Sequence, residues 1–199
     1  DLGDDITFLN DGAIGGNVHL DTNGGIGFTH SAAATIGSGV DLHVRDISSG
    51  FVTNGDQTET ETITSEDIVA DIQGEVGGSI DVETLTTGTA TVTVNNEAGF
   101  VNVRAGTNAV STTQIDGGGP YGTGVTAVND EISTGSGGVN VTIGTGGDVA
   151  GVSAEGGAGG AVVQIDGAVD TGGVSATASV SDTFSRTVVP VAGTTTVTD

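Results

Sequence analysis

The chain has 199 residues, 37 of them glycine, with five Phe, one Tyr and no Cys, Met or Trp. That inventory excludes a core of large aromatic side chains, a disulfide framework, a thiolate nucleophile and a cysteine-ligated zinc. Twenty-six acids against three bases (Arg45, Arg104 and Arg186) give a net charge of −23. This excludes nucleic acid as a partner, because cations must displace its phosphate counterions, and an anionic membrane surface would repel the chain.

Taken in chain order, the predicted elements are almost all strands. "DDITFLND" (4–11) is short and β-prone. "NVHLDT" (17–22), "VDLHVRD" (40–46), "SIDVET" (79–84), "TATVTVNN" (89–96), "FVNVRAG" (100–106), "VNVTIG" (139–144) and "VSATASVSD" (174–182) alternate with period two. Their Val, Ile and Thr content fits half-buried strands. "NDG" (10–12), "TNGG" (22–25), "TNGD" (53–56) and "DGGGP" (116–120) punctuate them as turns, with glycine supplying positive φ at no steric cost. Only "TSEDIVADIQGEV" (64–76) admits a short helix as readily as a strand, with Ser65 and Asp67 as caps. The last segment, "TFSRTVVPVAGTTTVTD" (183–199), is poorer in glycine and strongly β-prone. Helix is expected in under about a tenth of the chain.

The strands repeat. Val18-His-Leu20 recurs as Val40-Asp-Leu42, and Ile80-Asp-Val82 as Val101-Asn-Val103; Val139-Asn-Val141 follows 38 residues later, then Ala161-Val-Val163 after a further 22. "QIDG" occurs at 114–117 and again at 164–167. A spacing near 22 residues predicts one all-β domain over 1–199, a β-solenoid (β-helix) of roughly 22-residue coils. About nine coils stacked 4.8 Å apart would make a rod of about 40 Å. The alternative is a β-sandwich or jelly roll with terminal strand exchange, although sandwiches normally fill their core with more aromatics.

Candidate chemistry is sparse. His19 and His43 lie near the 22-residue register and read as single histidines on a solvated strand face, as does His30. No Gly-x-Ser-x-Gly occurs, and a P-loop is excluded without lysine. The adjacent acids Glu66–Asp67 and Asp130–Glu131 would point to opposite faces of a strand, so neither forms an acid/base pair. "GGAGGAVVQ" (156–164) has the glycines of a calcium-binding nonapeptide but Ala161 where Asp is needed. No catalytic residue, cofactor or defined metal site is expected; acidic turns attract calcium loosely at most.

"GGDVAGVSAEGGAGGAVVQIDGAVDTGGVSA" (146–176) and "GGNVHLDTNGGIGFTHSAAATIGSGVDLHV" (15–44) resemble the repeats of filamentous-haemagglutinin-type adhesins. The resemblance implies a right-handed β-helix in a secreted surface fibre. A chain that starts at Asp1 and contains no methionine reads as an exported product after signal-peptide removal. The expected function is therefore an extracellular or cell-surface structural subunit that self-assembles through strand pairing into a filament or matrix, not an enzyme. The alternative is a monomeric surface adhesin or fibre fragment that binds carbohydrate. Expected partners are further copies of the chain, with divalent cations or surface carbohydrate, and no membrane insertion. The tail 187–199 is the expected subunit joint, through Val188, Val189, Val191 and Val197. Ile6 and Phe8 of the first strand are the second contact.

Overall fold

The computed structural model describes residues 5–52, 59–107, 109–116, 127–178 and 184–188, with the backbone alone for 47–52, 59–62, 109–116, 127–134 and 184–188. The chain runs through six successive passes. The first is β1 (Ile6–Asn10), β2 (Ala13–Ile14) and β3 (Val18–Thr22); the second is β4 (Ile26–His30), β5 (Thr35–Ile36) and β6 (Val40–Val44). An antiparallel pair, β7 (Ile47–Val52) and β8 (Glu59–Thr64), then leaves the stack. The third pass is β9 (Ile68–Ile72), β10 (Glu75–Val76) and β11 (Ile80–Thr84); the fourth is β12 (Ala90–Val94) and the long β13 (Glu97–Ala105). A second antiparallel excursion follows, β14 (Ala109–Asp116) and β15 (Ala127–Thr134). The fifth pass is β16 (Val139–Ile143) and β17 (Asp148–Gly156); the sixth is β18 (Ala161–Ile165), β19 (Ala168–Val169) and β20 (Val174–Ala178). Finally β21 (Phe184–Val188) returns to pair antiparallel with β15.

The first strand of each pass joins one six-stranded parallel sheet, in the order β1-β4-β9-β12-β16-β18. The last strands join a second parallel sheet, β3-β6-β11-β13-β17, which β20 extends. A third, narrow sheet, β2-β5-β10, lies between them in sequence. The protein is thus all-β with parallel sheets, and no helix occurs among the described residues.

Parallel in-register pairing stacks like upon like. Ile6, Ile26, Ile68, Ala90, Val139 and Ala161 form one inward column of the first sheet. Val18, Val40, Ile80, Val101, Val152 and Val174 form another in the second. Strands β6, β9, β11 and β16 all alternate buried and more exposed positions, with both ends and the centre buried. Small β-branched residues suffice for this core because each fills only the space between its own pass and the next. The buried side chains of His30 and Asn10 are paired with each other. His30 is fully buried and not on the solvated strand face expected of it: it donates from Nε2 to the Glu75 carbonyl (3.1 Å) and accepts at Nδ1 from the Asn10 amide (3.1 Å). That arrangement is the neutral Nε2–H tautomer.

Ser65 closes the corner where the chain re-enters the stack after β8. Its Oγ faces the backbone N–H groups of Thr86 (3.0 Å), Thr87 (3.1 Å) and Gly88 (3.1 Å). Thr87 Oγ1 donates to the Ser65 carbonyl (2.8 Å) and accepts from the Ser65 N–H (3.0 Å). Here one turn is hydrogen-bonded onto its predecessor through side chains.

The glycines do a different job from the one the turn signals imply. Among the described residues only Gly106, Gly160 and Gly173 have positive φ. Most of the others sit where one corner crosses the next too closely for a side chain. A Cβ on Gly88 would stand 2.0 Å from the Glu66 carbonyl oxygen. Gly16, in the first pass, has nothing within 4 Å of such a Cβ.

Several expectations change against this fold. The segment 64–76 forms strands β9 and β10 after its turn, not a helix. The 22-residue match of Val18 to Val40 and the 21-residue match of Ile80 to Val101 are true strand partners, as is Val139 with Ala161. Val101 and Val139 are not partners: they belong to different sheets, because the β14–β15 excursion fills the sequence between them. The two "QID" copies also differ, one lying in the antiparallel β14 and the other ending the parallel β18. Two excursions divert enough chain that the described residues make six passes in place of nine. The long sheets are parallel, unlike the antiparallel sheets of a sandwich or jelly roll.

Substitution separates the two uses of glycine. Gly88→Ala should destabilise the fold by about 2 kcal/mol or more, as overpacking against a fixed backbone does, while Gly16→Ala should leave the melting temperature unchanged or slightly raised. Ser65→Ala should cost about 1–3 kcal/mol, since buried donors lose their acceptor. Chemical denaturation of the three variants checks both statements.

Candidate functional site

The two ends of the parallel stack are its least completed parts. At the first end β1 pairs with β4 on one side only, among the described residues. Its inward residues Ile6 and Phe8 are half-buried, whereas their partners Ile26 and Phe28 are 3% and 1% exposed. Phe8 stacks flat on Phe28, ring centroids 5.5 Å apart. At the other end β18 and β20 are the edges among the described residues. Val174 is 51% exposed although Val152, one pass inward in the same column, is 1% exposed. Ala161 and Val163 are only half-buried, and Val162 is exposed.

The outer face of the second sheet carries two polar columns. One reads His19, Asp41, Asp81, Asn102, Ser153 and Ser175; the other reads Asp21, His43, Glu83, Arg104, Glu155 and Thr177. Asp41 and Asp81 face each other directly, which is repulsive for two carboxylates. Each is relieved from its other side. His19 Nδ1 lies 2.7 Å from Asp41 Oδ2, and Asn102 Nδ2 donates to Asp81 Oδ1 at 3.2 Å. In the second column Glu83 lies between His43 and Arg104, with both nitrogen-to-oxygen distances 3.6 Å. Arg45 binds Asp21 with two nitrogens, Nε at 2.7 Å from Oδ1 and Nη2 against Oδ2. The guanidinium hydrogen bond holds the Asp21 carboxyl below the usual carboxylate range; partial burial opposes this, and the charges of Arg45, His43 and His19 assist it. The column is a charge-matching ladder.

On the narrow side, Glu75, Glu97, Asp148 and Asp170 line an open groove of about 240 Å³. No basic side chain lines it. Among the described residues, no group of three or more His, Asp or Glu side chains is placed to hold one metal ion. No helix among them is long and apolar enough to cross a membrane.

No protein family, curated protein or solved structure matches this chain. The functional reading therefore rests on its own residues.

Of the sequence-predicted contacts, Ile6 and Phe8 sit together on the inner side of the edge strand β1. Val188 ends β21, and its backbone pairs with Val128 of the same chain. Val189, Val191 and Val197 lie outside the described residues, as does nearly all of the tail 187–199. His19 and His43 are on neighbouring strands but in different columns: His19 faces Asp41, and His43 faces Asp21 and Glu83. They share no ligand site, because their 24-residue separation overshoots the repeat by two. Glu66 and Asp67 are exposed in a turn, and Asp130 and Glu131 are consecutive in β15. Sequence reasoning missed the far end, Val163 and Val174. No local signal marks it, since the interior strands β12 and β16 lack acids just as β18 and β20 do.

The Asp21–Arg45 pair gives a sign-definite expectation. Because the folded-state carboxyl titrates below its unfolded value, its contribution is present at neutral pH and lost as pH falls through the lowered folded value. Carboxyl NMR titration should place Asp21 below an ordinary aspartate, and Arg45→Gln should move it up. The accompanying stability change should be small, since the pair is exposed to solvent.

Proposed function

We propose that the chain is a β-helix of roughly 22-residue turns that serves as a structural subunit. Copies associate through backbone pairing into an extracellular filament or surface matrix. The observation that carries the reading is the state of the two stack ends. Both terminate in edge strands whose inward columns of apolar side chains remain partly exposed, Val174 by 51%. An exposed β edge is a template for another chain, and folded proteins normally guard it with charge, proline or a cover. Strands β1, β18 and β20 carry neither charge nor proline; of the edge strands at the two ends only β3 carries an acid, Asp21, and Arg45 pairs with it.

The rest of the surface fits a passive role. Asp21, Asp41, Asp81 and Glu83 on the outer face of the second sheet are each matched to a donor from a neighbouring pass. The net charge of −23 keeps finished fibres apart by repulsion, and the four-acid groove offers carboxylates through which divalent cations bridge neighbouring fibres. In this reading the chain performs no catalysis.

Electron microscopy of the purified protein should show unbranched fibres of uniform width. Aligned fibres should give a meridional reflection at about 4.8 Å, the spacing of paired strands along the stacking axis. A protein that sediments as a monomer at every concentration overturns the reading.

A further inference from the structure

From the register of the stack we infer how copies join: the sixth pass of one copy pairs, parallel and in register, with the first pass of the next. The inference rests on the self-association proposed above and specifies its geometry. Within the chain each pass donates from its first inward residue to the pass that follows. Ala90 N–H donates to the Gly138 carbonyl (3.0 Å), and Val139 N–H to the Gly160 carbonyl (2.9 Å). In the second sheet Val152 N–H donates to the Gly173 carbonyl (2.9 Å). Continued by one step, Ala161 N–H meets the Asp5 carbonyl of the next copy, and Val174 N–H meets its Asn17 carbonyl.

The side chains fit that step. Val163 would cover Phe8, much as Ala70 covers Phe28 within the chain. On the outer face Val162 (61% exposed) would lie beside Thr7, and Gln164 beside Leu9 (60% exposed). In the second sheet the uncharged Ser175 and Thr177 would meet His19 and Asp21, so no like charges face each other along either strand pair. The occupant of the sixth-pass edge is a second copy: the next described strand of the same chain, β21, pairs antiparallel with β15 and not with β18 or β20. The two surfaces differ, so the joint is heterologous, and each copy added along the stacking direction leaves a free end for the next.

Engineered disulfides test the register, since the chain has no cysteine and parallel partners about 4.8 Å apart lie within disulfide range. Thr7→Cys and Val162→Cys variants, one carrying a size tag, are mixed, assembled and oxidised, with sedimentation of the wild type run alongside. The expected main product is the mixed T7C–V162C disulfide. If either variant misfolds by circular dichroism, Leu9→Cys with Gln164→Cys probes the same register. Polymers that yield mainly homodisulfides mean that like ends meet, which overturns the inference. Polymers that yield no disulfide at either pair place the joint elsewhere, such as in the tail 187–199, and also overturn it while leaving self-association standing. A wild type that remains monomeric removes both the inference and the reading beneath it.

Discussion

Parallel backbone pairing between one pass and the next, at about 4.8 Å, is the constraint from which the other features follow. It sets the columns, because residues that share a register must share a side. It also sets the composition of the core, since a Val or Ile in every pass fills a layer that a sandwich would need aromatics to span. At the corners the same spacing brings main chain against main chain. There it removes side chains altogether: Gly74 would carry a Cβ 2.3 Å from the Ala34 carbonyl oxygen. The high glycine content therefore reflects close approach far more than left-handed turns.

That distinction explains what the sequence makes legible. Alternation reveals strands because inward and outward positions differ chemically, and a 21- to 22-residue spacing reveals partners wherever a pass is uninterrupted, as from Val18 to Val40. The spacing fails where chain leaves the stack. Nothing local in "AVSTTQID" announces that it pairs antiparallel with β15 and not parallel with a neighbouring pass. Thr and Val at period two suit either direction. Of the candidate site, Ile6 and Phe8 are legible as part of a short β-prone segment, 4–11, ahead of the first repeat. Val163 and Val174 are not, because only the stack shows that theirs is the last pass with an open side.

Charge is distributed by the same geometry. An acid on an outward position is repeated beside its neighbours at strand spacing, so an all-acid column would repel itself along its length. The second sheet avoids this by interleaving His43 and Arg104 with Asp21 and Glu83. It answers the Asp41–Asp81 encounter with His19 and Asn102. Three arginines and three histidines are few, but four of these six residues (His19, His43, Arg45 and Arg104) serve this one face. The narrow side, with Glu75, Glu97 and Asp148, has no such partners lining its groove.

The pairing of β21 with β15 has a mechanical consequence. Because β15 precedes the fifth pass and β21 follows the sixth, the two strands form a clasp whose closed loop contains both passes. Tension applied at the C-terminal side reaches the clasp before it reaches β20. The last passes cannot peel away one hydrogen bond at a time until that antiparallel pair has opened. Load at this end is thus borne first by a short ladder lying beside the stack, and the parallel core behind it is shielded from unzipping.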